Sequence, residues 1–288
     1  MTIAKPIRDY VFFSENLKRY YPKVYNELDN ILSRHQVFHD VLKDTADYWC
    51  RDYMPVQVLG NNFVQFRYHP DYLEGLRDYE TPMSVSVGLA EKLKLFPINI
   101  KKSSIVADGG NFTFATIKNG RRVTPVVIMT EKIFIENPDM GRDNIISQLE
   151  SLFFNYKLLF LPWDREDICG HTDGIVHAVG NNKLLVNLNV YPDDVAIKMR
   201  TILESYFKVI DLELSDYHDM SWAYINMIQT HNVIIIPGLG TSTDEEALIH
   251  IRKLFPEYKD RIYQVQIPSI VKKGGGALNC LSWSFSYY

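Results

Sequence analysis

Four short segments set reactive or charged side chains beside glycine, proline or tryptophan at the ends of apolar runs, where loops leave a scaffold and function concentrates. They are Trp49-Cys50-Arg51-Asp52-Tyr53-Met54-Pro55, Asp108-Gly109-Gly110-Asn111-Phe112, Cys169-Gly170-His171-Thr172-Asp173-Gly174 and Gly274-Gly275-Gly276-Ala277-Leu278-Asn279-Cys280. A cysteine nucleophile needs a histidine to move protons, and the two are usually distant in sequence and adjacent only in space. Cys280 and His171 meet that requirement. On an extended segment the side chains of His171 and Asp173 leave the same face, so the pair could present a base and a carboxylate to one pocket. The glycines ahead of Cys280 permit tight turns and close approach of a substrate.

A thiol, a histidine and several carboxylates, with no metal, suit a guanidinium group. Carboxylates such as Asp52 and Asp173 bind that planar cation through its forked N–H donors. Its central carbon is a poor electrophile because the charge is delocalised. Attack by a thiolate, with the carboxylates orienting the cation and His171 protonating the departing nitrogen, lowers the barrier through proximity and acid catalysis. The thiouronium adduct would then be hydrolysed by water activated by the same histidine. Two other chemistries fit less well. His171, Asp173 and His177 imitate part of a metal site, but no second histidine-rich segment completes the ligand set. The triple glycine lacks the Lys-Ser or Lys-Thr that a phosphate loop requires.

The elements that must position these residues read as mixed α/β. Short β-rich runs recur at 63–68, 104–107, 123–129, 157–161, 174–179, 183–188, 208–212, 233–237 and 261–266. Gly180, Asn181 and Asn182 between two apolar runs predict a hairpin over 178–183. Val195, Met199, Ile202, Leu203 and Tyr206 share one face of a helix over 193–207. Thr243 and Glu246 are spaced as a capping box for a helix running to Phe255. Further helices are expected over 142–156 and over 22–41, where Pro22 suits a first helical position. Strand, hairpin and helix thus alternate in units of roughly 50 residues, an arrayed α/β pattern without a visible residue-level repeat.

Composition bounds the function classes. The chain has 288 residues, 46% of them hydrophobic and 13% aromatic, which supports a large buried core. No linker-like tract divides it, so a single domain over 1–288 is expected. The net charge of −4 and the lack of a basic block argue against nucleic acid as a partner. Three widely separated cysteines argue against a disulfide framework and a thiolate-rich zinc site. Residues 1–16 lack the apolar run of a signal peptide, and no stretch approaches a membrane span. A cytoplasmic location without membrane partners is therefore expected, and self-association into a homo-oligomer stays open. Cys50 and Cys169 read as packing residues, and Tyr20, Tyr21 and Tyr25 as core or interface.

Taken in order, W-x-R-D-x-x-P, D-G-G-N, G-H-x-D-G, Y-x-N before an apolar strand, and G-G-G-x-x-x-C resemble the agmatine deiminase and bacterial-type peptidylarginine deiminase family. The match runs from Trp49 to Cys280. That family belongs to the guanidine-modifying superfamily, whose pentein fold is a fivefold pseudosymmetric α/β propeller. The resemblance implies that Cys280 is the nucleophile and His171 the general acid/base. It implies that Asp52 and Asp173 hold the guanidinium, that Asp108 lies close to the histidine and substrate, that Asn226 lines the pocket and that Trp49 walls it. It implies neither metal nor cofactor, and a small guanidino compound as substrate. Asn279 departs from the histidine that often precedes the cysteine in agmatine deiminases. The expected activity is metal-independent hydrolysis of a guanidine C–N bond, with ammonia released; amidinotransfer by the same residues, or guanidine binding without catalysis, are the competing expectations.

Overall fold

One strand plan is used five times. The computed structural model describes residues 8–93 and 97–287. The first seven residues, part of the amino-terminal stretch read above for a leader, lie outside the described residues. Strand β1 (Arg8–Ser14) leads through α1 (Glu15–Tyr20) and α2 (Pro22–Arg34) to the parallel strand β2 (Phe38–Leu42), and its other edge receives antiparallel β15 (Ser282–Tyr287). The two ends of the chain therefore complete one sheet. After α3 (Cys50–Tyr53), the second sheet pairs β3 (Val56–Leu59) antiparallel with β4 (Asn62–Arg67), then crosses through α4 (Met83–Lys92) to parallel β5 (Asn99–Val106). The third repeats this with β6 (Thr113–Asn119), β7 (Arg122–Thr130), α5 (Lys132–Ile135), α6 (Arg142–Leu152) and β8 (Lys157–Leu161).

The fourth sheet uses β9 (Val176–Ala178), β10 (Lys183–Val186), α7 (Asp193–Glu204) and β11 (Lys208–Asp211). The fifth uses β12 (Ile228–Gln229), β13 (Ile234–Gly238), α8 (Asp244–Leu254) and β14 (Ile262–Gln266), and α9 (Pro268–Gly274) then leads back toward β15. Each unit is an antiparallel pair plus a parallel crossover, and the crossover needs its helix because parallel neighbours cannot be joined by a tight turn. Residues of β3, β6, β9, β12 and β15, the outer antiparallel strand of each sheet, line one axial cavity of about 440 Å³. The fivefold α/β propeller expected above is the observed architecture.

Local chemistry explains the elements. In α2, Tyr25, Leu28, Ile31 and Leu32 recur at helical spacing and are buried, after Pro22 in the first turn. The helix expected over 22–41 ends at Arg34, because Gln36 adopts φ 56° and the following residues pair with β1 as β2. The 178–183 hairpin forms, with Gly180 and Asn182 both at positive φ. The capping box at α8 does not form. The Thr243 hydroxyl is engaged with Tyr224 at 3.1 Å, and Glu246 accepts from Ser215 instead. The reach of the strand expected over 174–179 is shorter, because residues 172–174 form a 3₁₀ turn.

Sheet closure depends on β15. Trp283 is 2% exposed, packs on Phe12, Phe63 and Phe285, and donates its indole N–H to the Pro55 carbonyl at 2.8 Å. It lies three residues after Cys280. Trp283→Ala should cost about 3–5 kcal/mol in denaturant-induced unfolding; a loss under about 1 kcal/mol would show that β15 closes the ring without it.

Candidate active site

The site is assembled from the five connections that leave the third strand of each sheet for the next. Residues 43–55 follow β2 and carry Asp52; 107–112 follow β5 and carry Asp108; 162–175 follow β8 and carry His171 and Asp173. Residues 212–227 follow β11 and carry Asn226, and 267–281 follow β14 and carry Cys280. All six residues are buried, at 8% exposure or less.

Backbone contacts hold the connections in register. The Arg51 amide donates to the Cys280 carbonyl at 3.1 Å, which ties the first connection to the last. A Cβ on Gly109 would lie 1.9 Å from the Arg51 carbonyl oxygen, and one on Gly110 would lie 2.7 Å from both Asp52 Oδ1 and His171 Nδ1. The two glycines of D-G-G are therefore required for close approach rather than for a turn. The Gly110 amide donates to Asp52 Oδ1 at 3.0 Å.

His171 lies between two carboxylates. Its Nε2 is 2.9 Å from Asp108 Oδ2 and its Nδ1 is 3.6 Å from Asp52 Oδ1. Burial favours the neutral imidazole, but the Asp52 charge, the Asp108 hydrogen bond and charge, and Asp173 outweigh it and raise the His171 pKa to about 10. Burial pushes Asp52 up to about 8; the His171 charge opposes this, and Asp108 and Asp173 reinforce it. Asp108 Oδ2 also accepts from the Tyr72 hydroxyl at 2.7 Å, and the Tyr72 ring meets the imidazole edge-on.

Cys280 is held beside Asp173 and Asn226. Asn226 Oδ1 accepts from the amides of Asn279 and Cys280 at 2.9 and 3.3 Å, while its Nδ2 lies 3.2 Å from the sulfur. The thiol faces Asp173 Oδ2 at 3.6 Å. Burial, with Asp173 and Asp52 nearby, pushes the Cys280 thiol well above its usual range. Cys280, His171 and Asp173 line one cavity of about 460 Å³. Its mouth carries Asp164, Glu166, Asp167 and Asp219, with Tyr191 and Trp222 as walls, and no lysine or arginine lines it among the described residues.

Most of the residues singled out in the sequence converge, but of the six only His171, Asp173 and Cys280 line the cavity. Asn226, expected to line it, is fully buried and touches the sulfur instead, and Asp52 and Asp108 reach the site through His171. His171, capping a 3₁₀ turn, and Asp173, within it, reach one cavity rather than leaving an extended strand. Trp49 does not line this cavity; it packs behind the glycine run, within 2.5 Å of where a Cβ on Gly274 would stand. Cys50 is wholly buried among aromatic residues, whereas Cys169 lines the cavity. His177 faces the axial cavity from β9 and bonds Gln229 at 2.7 Å. Among the described residues, no three His, Cys, Asp or Glu side chains are grouped to hold a metal ion. Tyr72 went unforeseen because it sits in an irregular segment without a motif. The acidic run Asp164-Arg165-Glu166-Asp167 just before C-G-H was a legible sign of the charged mouth.

The five-sheet fold is that of the pentein proteins. Residues 13–285 match the Porphyromonas-type peptidyl-arginine deiminase family, and the chain belongs to that family. Among solved structures it is similar to an agmatine deiminase of C. jejuni, at 17% identity and a TM-score of 0.69, with 97% of each chain covered. It is also similar to an agmatine deiminase of Enterococcus faecalis, at 18% identity and a TM-score of 0.70, covering 96% of this chain and 93% of that one. No curated protein sequence matches it. No helix of the described residues is long and apolar enough to cross a membrane.

The doubly carboxylate-flanked imidazole can be checked directly. Asp108→Asn removes a charge and keeps the shape, so the His171 pKa should fall from about 10 by more than about one pH unit in an NMR titration of the imidazole. An unchanged titration would show that Asp108 does not hold the imidazolium.

Proposed function

We propose that this protein hydrolyses the guanidinium group of agmatine, or of a related guanidino compound with a second positive charge, through a covalent adduct on Cys280. One observation carries the reading: Cys280, His171 and Asp173 share a cavity whose other charged lining groups are Asp164, Glu166, Asp167 and Asp219. Such a cavity is complementary to a substrate cationic at both ends and has no lysine or arginine to receive an α-carboxylate among the described residues. Family membership and the agmatine deiminase folds support the same chemistry.

The guanidinium sits between Asp52 and Asp173, with its plane fixed by paired hydrogen bonds. Engaging those carboxylates removes the charges that hold the Cys280 proton, so the thiol loses it to solvent. The thiolate attacks the guanidinium carbon while the imidazolium of His171 gives its proton to one nitrogen, which leaves as ammonia. Asp108 acts through His171, holding the ring and stabilising its charged form. Neutral His171 then takes a proton from water as the water oxygen bonds to carbon, and collapse of that adduct breaks the C–S bond. The net change is guanidinium plus water to a ureido product plus ammonium, with thiolate and imidazolium restored. Asn226 supports the sulfur through its amide N–H, and Trp49 supports the wall by fixing the glycine run. On this reading residues 1–288 act as one catalytic domain.

Agmatine should exceed free arginine in kcat/KM by on the order of ten- to a hundredfold in an ammonia-release assay, since arginine brings a carboxylate to an acidic mouth. Arginine as the better substrate would contradict the assigned tail contacts. The pH profile should be bell-shaped, because guanidinium binding needs ionised Asp52 and ammonia departure needs protonated His171. Activity should rise as pH passes about 8 and fall as it passes about 10. A maximum near neutrality that declines before pH 8 would overturn these roles. Mass-spectrometric labelling by a haloacetamidine should fall on Cys280 and be absent in Cys280→Ala.

A further inference from the structure

Resting on the reading above, we propose that Asn279, clamped between Arg51 and Asp173, is a positioning residue that fixes the Asp173 carboxylate for the guanidinium. Asn279 Oδ1 accepts from Arg51 Nη2 at 3.0 Å, and Asn279 Nδ2 donates to Asp173 Oδ2 at 2.7 Å. The order of these contacts is forced. Arginine has only donors, so the amide must turn its oxygen to Arg51, and its NH₂ then has to face Asp173. A reversed amide would set NH₂ against guanidinium and carbonyl against carboxylate.

Both ends of the clamp are anchored. Arg51 also donates to Ser284 Oγ at 2.7 Å, which attaches it to β15, and its own amide bonds the Cys280 carbonyl. The Asn279 main chain is held by Asn226 Oδ1 at 2.9 Å. Arg51, Asn279 and Asp173 all line the axial cavity, and Asp173 lines the active-site cavity as well. Asp173 is thus the member of the clamp that reaches both cavities. Asn279 engages the same Asp173 oxygen that the thiol faces, and this leaves Oδ1 for the substrate. Arg51 supplies the cation that lets this carboxylate stay buried before substrate arrives.

The test is steady-state kinetics on agmatine with Asn279→Ala, Asn279→Asp and Asn279→His, each checked by thermal melting. The carboxylate is needed equally for substrate and transition state, so its loss of orientation should appear in KM. Asn279→Ala should raise KM roughly ten- to a hundredfold and change kcat by less than about threefold. Asn279→Asp, near-isosteric but unable to donate to Asp173, should raise KM at least as much and serves if the alanine variant does not fold. Asn279→His should restore KM to within about fivefold of the unmodified protein, because a neutral imidazole accepts on one nitrogen and donates on the other. A folded Asn279→Ala or Asn279→Asp with KM within about twofold of the unmodified protein, or a folded histidine variant that fails to rescue, overturns the positioning role alone. An unmodified protein inert toward every guanidine removes the deiminase reading and this proposal together.

Discussion

Three carboxylates buried within reach of one imidazole and one guanidinium set the terms for everything else at this site. Asp52, Asp108 and Asp173 are each 8% exposed or less, and the cations among them are His171 and Arg51. Unpaired charge is costly away from water, and the cluster answers by keeping His171 protonated and Asp52 reluctant to ionise. On the proposed function, a cation arriving between Asp52 and Asp173 relieves that imbalance. Burial, with Asp173 and Asp52 beside it, likewise pushes the Cys280 thiol well above its usual range, and on the proposed function the excess of buried negative charge is what draws a guanidinium.

Such a cluster can exist only if separate stretches of chain deliver the groups to one point. The ββαβ plan does this by geometry. Each unit ends on a parallel strand, and the connection that leaves it for the next sheet carries one or two of the site residues. Five connections supply the six buried side chains, so no loop has to hold more than a residue or two in position. Gly109 lets its loop approach the Arg51 backbone, Gly110 leaves room for the Asp52 and His171 side chains, and Gly274 and Gly276 admit the Trp49 ring. The pairing of β1 with β15 closes the ring and fixes the connection that carries Cys280.

Much of the frame was legible. Strands 157–161, 208–212 and 261–266 stand where their β-branched and apolar runs place them, and the 178–183 hairpin follows from its Gly-Asn-Asn turn. Strand β15 was not foreseen, although Trp283 and Phe285 alternate with serines, because its inward and outward faces are set by partners at the other end of the chain. Helix α2 was read seven residues too long, since Val37 and Val41 continue the apolar rhythm while the positive φ of Gln36 turns the chain into a strand. Thr243 and Glu246 have capping-box spacing, yet Tyr224 and Ser215 offer them tertiary partners, and those contacts prevail.

What the sequence determined by itself is the inventory: a thiol, a histidine, acidic side chains and glycines at loop positions, in an order that matches one family, and an α/β rhythm of short strands and amphipathic helices. These follow from residue type and near-neighbour spacing, which local sterics and periodicity convert directly into turns, strands and helices. The tertiary structure alone decided that Asp108 bonds His171, that Tyr72 bonds Asp108, that Trp49 stands behind the glycine run and that Asn279 joins Arg51 to Asp173. Those contacts span 36 to 228 residues of chain. Hydrogen bonds and charges act over a few ångströms of space, whatever the separation in sequence, so their pairing is settled only when the five sheets close.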